Sequence, residues 1–193
     1  MNEKEYRIVE TAWLGEGIPY TGAELRSHIV RELGGIRGDG VIAFVGPCTV
    51  EEAALVDLED AEQENFIRAR SMLHFLGEHF LVSLREGNYL LRLFAMIVRE
   101  GLEELLSGQR IVRVGDDLFI DKRKLSVAIA TASPTSVLFH FGINVDPAGA
   151  PVPAVGLVEF GLEAERLARI VLERYRSEIV SVELALRKVR GVP

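Results

Sequence analysis

Residues 110–145 read RIVRVGDDLFIDKRKLSVAIATASPTSVLFHFGINV, and the period of this stretch decides the fold class. Apolar and β-branched residues form four short runs, RIVRV, LFID, KLSVAIAT and VLFHFGINV. Gly115-Asp116-Asp117, Asp121-Lys122 and the Ser-Pro-Thr-Ser loop at 133–136 separate them. Linkers this short join antiparallel neighbours, because a parallel crossover takes a dozen or more residues. The stretch therefore predicts an antiparallel sheet.

Upstream the period changes. Over 88–106, Leu90, Phe94, Ile97, Val98, Gly101, Leu102 and Leu105 share one helical face, and Gly108 lies where a terminating glycine belongs. Met72, Phe75, Leu76, His79 and Phe80 follow the same spacing and predict a helix over 71–81. VIAFVG at 41–46 is a short apolar run of buried-strand type, and YRIVETAWL at 6–14 predicts a first strand. Thr21 and Glu24 have capping-box spacing, which predicts a helix carrying Leu25, Ile29 and Leu33 and ending at Gly34-Gly35. Pro47 to Asn65 holds Glu51, Glu52, Asp57, Glu59, Asp60, Glu62 and Glu64 and reads as a strand end, a loop and a helical start, with the acidic 51–64 part a solvated face. Downstream, the Pro/Gly stretch 146–156 leads to an amphipathic helix near 163–180 with Leu167, Val171 and Tyr175 inward. The tail SVELALRKV fits a continued helix or a strand. Together these elements predict one α+β domain over 1–193, a mixed and mainly antiparallel sheet flanked by helices, with 163–193 packed on it.

Composition narrows the function classes. The 193 residues carry 22 Lys+Arg against 29 Asp+Glu, a net charge of −7. That balance argues against duplex nucleic acid as the main partner. A hydrophobic fraction of 48% excludes general disorder. No apolar run approaches the ~20 residues that span a bilayer, so no membrane partner is expected. MNEKEYRIVE lacks the apolar stretch of a signal peptide, and a single cysteine fits a reducing cytoplasm.

Candidate site residues have bland readings beside functional ones. Lys124 alone is a solvated strand lysine, and Asp116-Asp117 is first a turn, although two carboxylates can share Mg²⁺ with a nucleotide. Cys48 reads as a small buried hydrophobe. His74 and Glu78 stand four apart, but no HExxH motif is present and His28 and His140 are scattered, so no metal site is expected. His140 alternates with apolar neighbours and faces either a pocket opposite Lys124 or a satisfied core. Arg26 lies near a glycine turn and is the choice for an anion contact.

The 110–145 stretch resembles the central sheet of biotin and lipoate protein ligases. In those enzymes a long helix precedes a strand ending in Asn-Asp, then a strand opening Lys-Leu-x-Gly, then a Gly-x-Asn-Val run. Here the order is the 88–106 helix, Asp116-Asp117, Lys124-Leu125-Ser126-Val127 and Gly142-Ile143-Asn144-Val145. More of the chain is similar to a largely archaeal family known as domain of unknown function 366. RSH at 26–28, FVGPC at 44–48, VDLED at 56–60, GDDLFID at 115–121 and LSVAIATASP at 125–134 carry that likeness.

The ligase resemblance implies a fold of the biotin/lipoate ligase and class II aminoacyl-tRNA synthetase type. It implies Lys124 as the cation that meets substrate carboxylate and acyl phosphate, where negative charge develops on the transferring oxygens. Around it the resemblance places Arg113, Asp116, Asp117 and Asn144; their own positions in the sequence add His140 and Arg26 as further ligand contacts. It makes ATP and Mg²⁺ the cofactors to test, acyl activation or transfer the reaction class, and a homodimer an allowed assembly. A non-catalytic ligand-binding or protein-interaction module is the alternative. Val127 replaces the motif glycine, which alters the acyl pocket. Arg31 and Gly34-Gly35-Ile36-Arg37-Gly38, with Arg26, are the nearest counterpart of the arginine- and glycine-rich loop that covers the adenylate in biotin ligases.

Overall fold

The computed structural model describes residues 9–57 and 66–192. Its main sheet is built on β1 (Glu10–Glu16), β2 (Gly40–Val50), β3 (Ile67–Phe80), β7 (Ser126–Ala132) and β8 (Ser136–Asp146), in the order β1-β2-β3-β8-β7. Only the β1–β2 pair is parallel; the other three are antiparallel. Between β3 and β7 come the 22-residue helix α2 (Leu84–Leu105) and a three-stranded sheet of β4 (Ile111–Val114), β5 (Asp117–Ile120) and β6 (Arg123–Lys124). A short helix α1 (Ile29–Gly34) links β1 to β2, and α3 (Ala164–Arg187) closes the chain. The architecture is mixed α+β with an antiparallel-rich sheet, and the four runs of 110–145 are strands as their period predicts.

Cross-strand register sorts the side chains onto two faces. Leu73, Phe75, Phe139, Phe141 and Ile143 point toward α2 and α3, where they pack with Phe94, Val98, Leu167, Val171 and Tyr175. Phe94 is the hub of this layer, with ring contacts to Phe75, Phe139, Phe141 and Tyr175 at 5.0–5.6 Å. Ile42, Phe44, Met72, Leu76 and Leu138 point the other way and pack with Tyr20, Ile29 and Val30. Among the described residues, α1, the 3-10 turn Glu52–Ala54 and loops cover the second face. That uneven cover leaves room for a cleft.

Several expectations need correction. Residues 71–80 are strand, within β3, and not a helix, and Leu81 follows with a positive φ of 58°. β3 lies in the middle of the sheet, and the side chains from Met72 to His79 are buried on both faces. A strand apolar on both sides has no visible period of two, and its apolar positions satisfied a helical template by coincidence. The helix predicted from Thr21 starts only at Ile29. Glu24 accepts from the Thr21 backbone N–H at 2.9 Å, as in a capping box, but Gly22 at φ +91 and His28 at φ +66 turn the chain away from a helix. The helix expected over 88–106 begins earlier, at Leu84. Ser83 caps it: Glu86 accepts from the Ser83 backbone N–H at 2.6 Å, and Ser83 Oγ accepts from the Glu86 backbone N–H at 3.3 Å. Residues 181–187 of the undecided tail continue α3. Residues 6–8 of the first predicted strand, and Glu59, Asp60, Glu62 and Glu64 of the acidic stretch, lie outside the described residues.

Candidate functional site

The backbone around Lys124 is clamped from two sides. Lys124 N–H donates to Pro153 O at 2.9 Å and Lys124 O accepts from Val155 N–H at 3.0 Å, which ties β6 to the Pro/Gly stretch. From β8, Asn144 Nδ2 donates to the same Lys124 carbonyl at 3.1 Å, and Asn144 N–H donates to Leu125 O at 2.9 Å. Asp121 and Lys122 both have positive φ, 49° and 63°, the geometry of the tight turn between β5 and β6. That turn puts Lys124 opposite Phe119, and its side chain reaches Asp117 with Nζ 2.8 Å from Oδ2.

Lys124, Asp116, Asp117, His140 and Asn144 all line one cleft of about 510 Å³ on the thinly covered face of the sheet. Its polar rim is built of charge pairs. Besides Lys124–Asp117, Arg92 on α2 stands 3.5 Å from Asp116, and Arg68 on β3 stands 3.4 Å from Glu51 and over the Phe66 ring at 5.2 Å. Its floor is apolar and aromatic, with Tyr20, Met72, Val127 and Ile129. Val127 reaches over Gly142, where it and Met72 fill the space that a side chain at 142 would need. A glycine at 127 would open that floor.

Two buried imidazoles sit behind the floor. His74 Nδ1 and His140 Nε2 are 3.0 Å apart, and His74 Nε2 is 3.4 Å from Gly46 O. Burial holds both rings neutral: His74 is pushed down to about 3, and His140 lies well below the usual histidine range, with His74 as its second cause. Cys48 is also buried, and burial pushes its thiol up to about 12, with the Glu24 charge adding to the effect. So little thiolate exists near neutral pH that Cys48 is not an activated nucleophile.

Two of the expected contacts lie elsewhere. Arg26 does not border the cleft; its guanidinium is half exposed and held by Glu32 at 2.6 Å. Arg113 turns back to donate to the Gly115 carbonyl and lies outside the lining as well. The stretch Arg31, Ile36, Arg37 and Gly38 borders a second, smaller cleft of about 330 Å³ with His28, Asp39 and Glu78. Glu78 there is buried, and its Oε1 accepts from His28 N–H at 2.7 Å and Ser136 Oγ–H at 2.6 Å. The glycine- and arginine-bearing stretch therefore does not cover the main cleft. Sequence reasoning missed Tyr20, Arg68 and Arg92. The one signal for Arg92 was its place four residues after Asn88 on the polar side of a long helix; both line the cleft.

The family model described as a domain of unknown function (DUF366) matches residues 9–190. The chain belongs to that family. A solved protein of unknown function from Pyrococcus horikoshi is 33% identical, with a TM-score of 0.87 over 95% of this chain and 100% of that one. The biotin protein ligase of Aquifex aeolicus, solved with biotin and ATP, gives a TM-score of 0.59 at 17% identity, over 90% and 72% of the two chains. A T. acidophilum protein assigned as a lipoate protein ligase, solved with lipoic acid, gives 0.58 at 15%, over 90% and 86%. At those identities the ligases show that DUF366 shares their fold, and no more.

Proposed function

We propose that this DUF366 protein binds a small anionic acyl or nucleotide-type ligand in the main cleft, with Lys124 as its electrostatic anchor. The observation that carries the reading is the meeting of Lys124, Asp116, Asp117, His140 and Asn144 in one cleft above an apolar floor. Such a cleft suits a ligand with a charged head and an uncharged body. The polar rim fits phosphates better than a lone metal ion. Lys124 and Arg92 each hold one carboxylate of the Asp116-Asp117 pair, and among the described residues no group of three metal-ligating side chains forms. Mg²⁺ therefore fits here only in company with nucleotide phosphates facing Lys124, Arg92 and Arg68. If the site is catalytic, acyl activation or transfer is its class, and Lys124 neutralises the oxygens on which charge develops. A single ligase-like domain, a kinship with class II synthetases, a cytoplasmic location and a homodimer belong to the same reading.

The second reading is a non-catalytic binding or interaction module. It is favoured by the position of Arg31, Arg37 and Gly38 around the smaller cleft, and by the absence of arginine and glycine from residues 58–65. Thermal unfolding separates the outcomes. Wild type and Lys124→Ala are titrated with ATP and Mg²⁺, AMP, biotin, lipoate, short fatty acids and sulfamoyl-linked acyl-adenylate mimics. A ligand at 100 times its Kd stabilises by about 2.7 kcal/mol. Stabilisation of wild type that disappears in Lys124→Ala is the expected result. No shift from any compound, or equal shifts in both proteins, would remove Lys124 as the anchor.

A further inference from the structure

The smaller cleft lies at the Phe80 end of β3, whereas the main cleft takes its β3 residues from the Ile67 end, and the two share no lining residue. It holds a buried carboxylate that is only half used. Glu78 is 1% exposed, and its Oε1 takes two donors, His28 N–H at 2.7 Å and Ser136 Oγ–H at 2.6 Å. Its Oε2 has no hydrogen-bond partner among the described residues. Every described side-chain oxygen that is fully shut off from solvent does have one, so Glu78 Oε2 opens onto the cleft that Glu78 lines. Two cations stand around the same cleft. Arg31 and Arg37 are exposed, and neither guanidinium pairs with a carboxylate among the described residues. Glu32, the one carboxylate on α1, is held by Arg26 at 2.6 Å. Asp39 is engaged by Phe80 N–H at 2.9 Å and by His79. Ile36 and the Phe80 ring, with His28 stacked on it at 5.8 Å between centroids, give the cleft an apolar and aromatic wall.

We propose that the smaller cleft is a second ligand site, and that it takes a free α-amino acid with an apolar side chain. The ammonium group donates to Glu78 Oε2, the carboxylate meets Arg31 and Arg37, and the side chain lies on Ile36 and Phe80. Charge decides the class. A plain anion suits the arginines but brings its negative charge beside a carboxylate that has no counter-ion. A plain cation suits Glu78 and leaves both guanidiniums without a partner. A bare metal ion lacks ligands, because among the described residues no group of three metal-ligating side chains forms. A zwitterion meets both charges with charge-assisted hydrogen bonds. The unpaired oxygen also sets the selectivity. A ligand without a donor displaces water from Glu78 Oε2 and pairs nothing in its place, which leaves a buried acceptor unsatisfied. The site uses none of the residues of the main cleft, so neither reading depends on the other.

The test is calorimetric titration of the whole chain at neutral pH with L-leucine, L-phenylalanine, L-leucinamide and 4-methylpentanoate. The amide keeps the ammonium and loses the carboxylate, as the N-terminus of a peptide does. The acid keeps the carboxylate and loses the ammonium. Wild type is compared with Glu78→Gln, an Arg31→Gln, Arg37→Gln double variant and Lys124→Ala, each first checked for folding by thermal unfolding. Glu78→Gln keeps an oxygen for His28 and Ser136 and removes the charge. The arginine variant changes only exposed side chains and keeps the test decisive if Glu78→Gln does not fold. Wild type and Lys124→Ala are expected to bind the amino acid alike, at least about tenfold more tightly than either leucine analogue is bound. Glu78→Gln and the arginine variant are each expected to lose at least about tenfold in that affinity. If neither amino acid binds, if an analogue binds as tightly, or if a folded Glu78 or arginine variant binds like wild type, the inference is wrong. Loss of amino-acid binding in Lys124→Ala would put the ligand in the main cleft and overturn the inference in the same way.

Discussion

Lys124 and Tyr175 show that a polar side chain can matter to a fold in opposite degrees. The Lys124–Asp117 pair is about one-third and one-quarter exposed, where ion pairs contribute only ~0–1 kcal/mol. Replacing Lys124 by Ala is thus expected to cost less than about 1 kcal/mol of stability and to act on ligand binding. Tyr175 is wholly buried, and its hydroxyl meets His79 Nε2 at 2.9 Å, while His79 Nδ1 stands 3.5 Å from Asp39. This Asp39–His79–Tyr175 chain fastens α3 to the starts of β2 and the end of β3. Tyr175→Phe keeps the ring contacts to Phe94 and Phe139 but strands His79 in the core. A loss of about 1–3 kcal/mol is expected in urea unfolding. A variant within about 0.3 kcal/mol of wild type would show that the hydrogen bond contributes nothing net.

At the scale of elements, the cleft depends on the segment 17–20 crossing over β2. Gly17 N–H and Ile18 N–H both donate to Val45 O, at 2.7 and 3.2 Å, and Tyr20 N–H donates to Pro47 O at 2.9 Å. The register of β2 slips between Gly46 and Cys48 at this crossing. A side chain at residue 46 would stand on the Ile18 carbonyl, a backbone atom that cannot rotate aside. Gly46→Ala is therefore expected to destabilise by about 3 kcal/mol, and to weaken ligand binding by displacing Tyr20. An alanine variant as stable as wild type would mean that the crossing is loose. The same region shows where sequence reading loses hold. α2, β4 and β5 were legible because polar residues on a wetter face mark their period, and β8, buried on both faces, was legible through its short link to β7. β3 was misread because burial on both sides removes those marks. The segment 21–28 was misread because a local capping pattern is equally satisfied by an isolated turn. Lys124, Asp116, Asp117 and Asn144 could be named from one contiguous stretch. Tyr20, Arg68 and Arg92 could not, because only the register of distant strands and the placing of α2 bring them to it.

The whole molecule divides its labour between the two sides of one sheet. Long helices and a packed aromatic layer seal one side, and the other keeps two neutral histidines beneath a half-open cleft. That arrangement ties global stability to pH. An unfolded histidine titrates near 6.5. In the folded chain His74 is held down to about 3 and His140 well below its usual value, both through burial. Between pH 6.5 and the folded values, the unfolded chain therefore binds protons that the folded chain refuses. Stability rises with pH wherever the unfolded state holds more protons, so the contribution is whole above about pH 6.5 and drains away as the pH falls. Each histidine that stays neutral approaches a loss of about 1.4 kcal/mol per pH unit once the pH is well below 6.5. Glu32, Glu86 and Glu159, whose carboxyls lie below the usual range through Arg26, Ser83 and Arg123 respectively, begin to lose their share only at lower pH. Urea midpoints between pH 7 and 5 thus isolate the imidazoles. The wild-type midpoint is expected to fall over that interval, and the fall to flatten in a His74→Leu, His140→Leu double variant. A wild-type midpoint constant from pH 7 to 5 would mean that the rings take up protons in place.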